Sequence, residues 1–234
     1  MSVRDGQAAA APVTWVLVPV KSFASAKVRL APALGVAERA GLARRLAAGV
    51  LAAAAPLPAA VVCDDPEVRA WAEAAGAAVV WTPGLGLDGA VEAGVAHLAE
   101  RGAVTVVVSH ADLPLATRLD RFAAAPTADP RPGPDPSATS SATSSAATPA
   151  TSSVTLVPDR HADGTNVAVV PAAAGFRFAY GPGSFARHAA EAERLGLRLR
   201  IVRDEDLGWD LDVPADLVAL EQLMAARAGH PTAP

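Results

Sequence analysis

Residues 104–115 read VTVVVSHADLPL. Val104 to Val108 form an unbroken β-branched run, the composition of a strand in the middle of a sheet rather than of a helix. The run is apolar on both faces apart from Thr105, as parallel strands covered by helices on either side usually are. Ser109, His110 and Asp112 follow at once, closed off by Leu113-Pro114. A carboxylate is therefore delivered where the strand leaves the core, and in open α/β sheets ligands bind beyond that end of the strands.

Working outward, the same unit repeats. TWVLVPV (14–20), AAVVCD (59–64) and AAVVW (77–81) are short apolar strands. Between them lie helical stretches at 36–55, 66–75 and 87–102, with Gly76 and Gly102 placed as helix C′ residues. VTLVPD (154–159), TNVAVVP (165–171) and LRLRIV (197–202) resume the strand style, with a helix from about Gly183 and a last one from about Pro214. A further helix, LATRLDRFAAA (115–125), is expected after Asp112. The fold class is α/β: a three-layer, doubly wound, mostly parallel Rossmann-like sheet.

Hydrophobic residues make up 51% of the 234 and aromatics 4%, so the core is built from Ala, Val and Leu. A formal charge of −4 gives no basic footprint for nucleic acid or an anionic membrane surface. The single cysteine, Cys63, leaves no internal disulfide and fits a reducing cytoplasm. The N-terminus has no secretory pattern, and no apolar run reaches the roughly 18 residues of a membrane span. Residues 126–153 are low-complexity Pro, Ser, Thr and Ala with almost nothing to bury, and are expected to be a disordered surface insertion. The expected organisation is a tail at 1–13, one domain at 14–226 carrying that insertion, and a tail at 227–234.

Several clusters at strand ends carry chemistry. VPVKSFASAKVRL (18–30) supplies Lys21, Ser22, Lys27 and Arg29, a loop able to wrap a polyphosphate or, equally, a solvated basic loop. It matches neither GxxxxGK[ST] nor GxGxxG. In WTPGLGLDGAVEAG (81–94), Gly84 and Gly86 permit close backbone approach, with Asp88 at the helix start. Asp112 reads either as the N-cap of the 115–125 helix or as a Mg²⁺ ligand, since hard cations take carboxylate oxygens. GWDLDVPADL (208–217) offers Asp210 and Asp212, which on an extended segment point the same way. Gly181-Pro182-Gly183-Ser184 runs into a helix with Arg187 and His188 in its first turn, an anion site or simply a Ser-capped turn, with Thr165 as a second hydroxyl nearby. His188 also reads as an ordinary surface histidine.

VPVKSFASAKVRL, GLGLDGAV, HADLPL, DGTNVAVV, GPGSFARH and WDLDVPADL, in that order, resemble the guanylyltransferases of coenzyme F420 biosynthesis, which act on 2-phospho-L-lactate or phosphoenolpyruvate. The resemblance runs from about Thr14 to Leu220. It implies a nucleotidyltransferase of the nucleotide-diphospho-sugar transferase type that uses GTP with Mg²⁺ and joins GMP to a phosphorylated three-carbon acid. Carried over by motif, Asp112 and one or both of Asp210 and Asp212 hold the metal, and Lys21, Ser22, Lys27 and Arg29 meet the GTP phosphates. Gly84, Gly86 and Asp88 lie near the guanosine; Thr165, Gly181, Ser184 and His188 bind the acid; Asp112, Lys27 and Asp212 carry the chemistry. Asp88 departs from the pattern, standing where family members often have Asn. The wording of the chain favours phosphoenolpyruvate as acceptor, with 2-phospho-L-lactate the alternative and the product handed to a downstream transferase. A molybdenum-cofactor type enzyme is disfavoured by the missing LAGGxSxRMG loop. A non-catalytic GTP-binding module is disfavoured by the two acidic stations.

Overall fold

The computed structural model describes residues 13–123 and 153–229. The proposed insertion and most of both proposed tails lie outside those residues; Val13, Ser153 and the helix end at Gly229 belong to ordered elements.

Seven strands form one sheet: β1 (Val13–Pro19), β2 (Ala59–Cys63), β3 (Ala78–Trp81), β4 (Ala103–Ser109), β5 (Ser153–Pro158), β6 (Thr165–Pro171) and β7 (Arg198–Ile201), in the order β3-β2-β1-β4-β6-β5-β7. β1 to β4 run parallel, β6 is antiparallel to both β4 and β5, and β7 pairs parallel with β5. Only β6 is reversed. Ser109 of β4 faces Val167 of β6, so Thr165, where β6 starts, lies at the end of the sheet where the parallel strands finish.

Among the described residues four helices cover the sheet, α1 (Val36–Ala53), α2 (Pro66–Ala74), α3 (Gly86–Glu100) and α4 (Ser184–Arg194), while α5 (Pro214–Gly229) packs Leu217 and Leu220 on a separate cluster of Leu30, Leu46 and Leu211. The side chains of each central strand alternate between two cores. Val16, Val18, Val107, Val167 and Val169 join Ala47 and Val50 of α1 and Val68 and Ala72 of α2 on one face. Leu17, Val106, Val108, Ala168 and Val170 join Val91, Val95 and Leu98 of α3 and Ala192 of α4 on the other. Each fully buried valine or leucine contributes about 1.5–3 kcal/mol, which lets a core with few aromatics hold three layers together. α3 packs closely on β1, because Gly94 leaves room for the side chain of Leu17.

α2 starts as its sequence dictates: Asp65 caps the amides of Glu67 and Val68, with Pro66 in the first turn. Gly76 and Gly102 follow α2 and α3 with φ of 77° and 87°, the left-handed conformation expected of them. The helix expected at 115–125 does not form over the described residues, where only a short 3-10 turn, Leu119–Ala123, is present. Asp112 is consequently no N-cap. Among the described residues no helix is long and apolar enough to cross a membrane.

Candidate active site

The loop after β1 folds back over the ends of β1 and β4 and encloses a cleft of about 650 Å³. Lys21, Ser22, Lys27, Arg29, His110, Asp112 and Asp212 all line it. Lys27 takes a left-handed backbone (φ 54°) ahead of a 3-10 turn, Val28–Leu30. Such a conformation costs a non-glycine residue about 1–2 kcal/mol and persists where surrounding contacts fix it. Here the contacts are ionic. The ammonium of Lys27, whose side chain is 8% exposed, donates to Asp112 Oδ2 at 2.6 Å and to Asp212 Oδ1 at 2.9 Å. Burial by itself would lower its pKa, but the two carboxylates outweigh burial and hold the ammonium above its ordinary value.

The two acidic stations thus meet around one cation, the Lys27 ammonium. Leu211 N–H also donates to the Asp112 carbonyl at 3.2 Å, so backbone joins them as well. For Asp112, burial raises the pKa, while Lys27 and then His110 overcome it and keep the group ionised. Asp210 goes the other way: burial and the neighbouring Asp112 and Asp212 charges raise it. Arg29 stands 3.6 Å from Asp212 and is largely exposed, leaving it available to an anion entering the cleft.

Among the described residues, no three acidic, cysteine or histidine side chains already form a metal cage. Lys27 sits between the two carboxylates instead. The donor set nevertheless fits a hard divalent cation. Asp112 Oδ1 is buried with no hydrogen-bond partner, and His110 Nδ1 stands 3.8 Å from it, beyond hydrogen-bond reach. A buried carboxylate oxygen without a donor carries a large desolvation cost, which an added cation would relieve.

Thr165, Ser184 and His188 form a second, buried cluster beside the cleft rather than in its wall. Ala179 N–H donates to His188 Nε2 at 3.0 Å. His188 is fully buried and its pKa is pushed down to about 4, by burial first and then by the charges of His110 and Arg187. The ring is therefore neutral, and with Nε2 accepting, the proton resides on Nδ1, which donates to Thr165 Oγ1 at 3.0 Å. Thr165 N–H in turn donates to Ser184 Oγ at 3.1 Å. The surface-histidine reading of His188 is wrong: Phe176, Phe178 and Tyr180 surround its ring.

Ser184 is not the cap of α4 either; Gly183, with φ 73°, takes that position. The first amides of the helix are occupied, Ser184 N–H by the Gly181 carbonyl and Phe185 N–H by the Asp163 carbonyl. The Arg187 guanidinium donates to the carbonyls of Ala179, Tyr180 and Pro182 and fastens the 179–182 turn. The bridge from this cluster to the cleft is Tyr180, whose ring lies 4.9 Å from that of His110.

The glycine turn splits in two. Gly86 lines a small recess next to the cleft with Lys21, Cys63, Thr82 and Leu87, whereas Gly84 lines neither. Both have positive φ. Asp88 accepts the Tyr180 N–H at 2.9 Å and Glu92 the Phe178 N–H at 2.9 Å, so α3 carboxylates clamp the 178–180 segment. Sequence reasoning passed over His110 and Tyr180, and it passed over Arg160 and Asp216, which brace the 209–213 segment.

Residues 14–123 match the family model described as "Guanylyl transferase CofC like". A phosphoenolpyruvate guanylyltransferase of Sphaerobacter thermophilus is 37% identical over 221 residues, 93% of each chain. The chain belongs to the CofC-like guanylyl transferase family. One of Thermomonospora curvata is 38% identical over 216 residues, covering 89% of this chain and 84% of its own. Among solved structures, a nucleotidyl transferase of Methanothermobacter superposes with a TM-score of 0.57 at 14% identity, covering 92% and 99% of the two chains. A 4-diphosphocytidyl-2C-methyl-D-erythritol synthase gives 0.54 at 16% identity over 91% and 99%. At those identities the likeness is one of fold, and the fold is that of the nucleotidyltransferases. This CofC-like guanylyl transferase is an enzyme, and its β1 loop, β4 end and α5 approach enclose one cleft.

Proposed function

We propose that the protein transfers GMP from GTP to phosphoenolpyruvate, releasing diphosphate, with Mg²⁺ held at the Asp112 and Asp212 carboxylates and Asp210 beside them. The reading is supported by relatives of that name over almost the whole chain and by the cleft's composition. The observation that carries it is Lys27, buried and bonded to both acidic stations in a cleft also lined by Lys21 and Arg29.

An oxygen of the acceptor phosphate attacks the α-phosphorus of GTP. The new P–O bond forms as the bond from the α-phosphorus to the α,β-bridging oxygen breaks, and diphosphate leaves with that electron pair. A phosphomonoester has a second pKa of about 6, so the attacking oxygen is already largely ionised and no general base is needed. The task of the protein is charge neutralisation and in-line placement. Bound Mg²⁺ supplies charge neutralisation at the triphosphate. Lys21, Ser22 and Arg29 bind and orient the phosphates from the β1 loop, and Lys27 keeps the two carboxylates together. Gly86, with Gly84 and Asp88 behind it, shapes the nucleoside side. Thr165, Gly181 and Ser184 receive the acceptor beyond Tyr180, with His188 fixing the Thr165 hydroxyl as acceptor of one hydrogen bond and donor of another.

The test is diphosphate release with GTP and Mg²⁺, offering phosphoenolpyruvate, 2-phospho-L-lactate or 3-phosphoglycerate. Turnover is expected with phosphoenolpyruvate. Release with 2-phospho-L-lactate alone would move the acceptor assignment, and GTP binding with no diphosphate from any acceptor would sink the enzymatic reading.

A further inference from the structure

Arg160 lies in the turn between β5 and β6, outside the cleft, and lines a separate hollow with Trp209, Arg203 and Arg227. Its guanidinium rests 4.3 Å over the Trp209 ring, Nη1 donates to the Asp210 carbonyl at 3.0 Å, and Nη2 is bonded to Asp216 Oδ1. Asp216, 4% exposed in the first turn of α5, uses its other oxygen to accept both Asp212 N–H and Val213 N–H at 2.8 Å. With Leu211 N–H on the Asp112 carbonyl, every residue from Trp209 to Val213 is held at one point at least.

A helix start does not require this much. A neutral side chain at the third helical position can cap the preceding amides unaided. A largely buried ion pair behind it is a weak source of stability, but it fixes geometry. The geometry at stake is on the page. The segment turns Asp212 toward Lys27 and brings Asp210 close to Asp112 and Asp212, and like charges crowded together push such a segment apart.

We propose that Arg160 and Asp216 form a positioning pair, a strut that holds the Asp210–Asp212 backbone so that its carboxylates face Lys27 and Asp112. Apart from Arg160 Nη1, which stands 3.6 Å from the Asp210 carboxylate, the pair touches no carboxylate of the site, and it acts chiefly through the segment it braces. In the functional part the proposal rests on the transfer reading above; in the structural part it does not.

The experiment uses the full chain with Arg160→Met, Asp216→Asn and the double variant. The strut predicts that Arg160→Met lowers kcat by about tenfold or more while KM for either substrate moves less than about threefold, since the carboxylates act at the transition state. It predicts that the double variant is no worse than the poorer single one, because two members of one device are not additive. A lowered Tm with unchanged kcat would overturn it. Hydrogen exchange separates this outcome from failure of the transfer reading, because it needs no substrate. In Arg160→Met the amides of Leu211, Asp212 and Val213 should lose protection while those of β1 and β4 keep it. Unchanged protection at those three amides overturns the strut even if the enzyme proves active, and lost protection supports it even if no turnover is found.

Discussion

Leu211 N–H donates to the carbonyl of Asp112 at 3.2 Å, a main-chain bond that joins the end of β4 to the approach of α5 without using any side chain. The two acidic stations therefore stay adjacent when a carboxylate is altered, which separates folding from activity.

Asp112→Asn is the direct test. The variant keeps the side-chain volume and the Leu211 bond, and Lys27 keeps Asp212. A loss of about 1–2 kcal/mol in unfolding free energy is expected, set against a loss of about 10³ in turnover. Thermal denaturation and diphosphate release check the two halves, and turnover near the wild-type value would remove Asp112 from the chemistry.

Lys27 has two separable properties, its charge and its backbone. Lys27→Ala and Lys27→Gly both leave Asp112 and Asp212 facing each other, so both should lose transfer activity. Glycine relieves the φ of 54°, and Lys27→Gly is expected to be the more stable by about 1 kcal/mol. Urea midpoints measured side by side decide it, and the opposite order would mean that the loop relaxes once the ammonium is gone.

His188 makes stability depend on pH. In the unfolded chain the imidazole takes up a proton near its ordinary value of 6.5, whereas the folded ring resists until about 4. Between those values the unfolded state binds more protons, so stability falls as pH falls, and above that window the contribution is flat. At about pH 5 the deficit relative to pH 7 amounts to about 2 kcal/mol from this residue. His188→Gln should flatten the slope in that window while lowering stability at pH 7. Denaturant titrations at the two pH values measure it, and equal slopes in both proteins would exclude His188 as the cause.

Gly94 tests the packing of α3 on β1. A Cβ there would stand 2.7 Å from Leu17 Cδ2, and Leu17 is fully buried between α3 and the sheet. Gly94→Ala is expected to cost about 1–3 kcal/mol through overpacking, with KM for GTP little changed. A Tm equal to that of the wild type would show that Leu17 can turn aside.

Much of this architecture is written in local sequence. Continuous Val and Ala runs between helical segments suffice for a sheet covered on both faces, and Asp65-Pro66 or Gly76 suffice for helix ends. The direction of β6 was legible too, though it was not used: Asp159 to Gly164 is far too short for a crossover to a parallel neighbour. The buried state of His188 left a trace, since Ser184, His188 and Ala192 recur every four residues along α4 and are all buried. Residues 115–123 misled because Leu, Arg and Phe spacing imitates a helix, whereas Arg118 takes a left-handed backbone (φ 50°) that interrupts it and turns Leu119 into the core on the sheet. The left-handed Lys27 left no trace. Its conformation is imposed by carboxylates 85 and 185 residues away, and no local propensity encodes that.

Because β6 alone of the seven strands is reversed, one side of the site is assembled from strand exits and the side that holds Thr165 from a strand entrance. The two sides are thus contributed by separate, nearly contiguous pieces of chain, joined across the seam by Asp88 on Tyr180 and Glu92 on Phe178. A block from Ser153 to Gly196 grafted between relatives keeps its footing only where the recipient's α3 supplies the Asp88 and Glu92 carboxylates, and on the proposed reading it would carry the acceptor side with it.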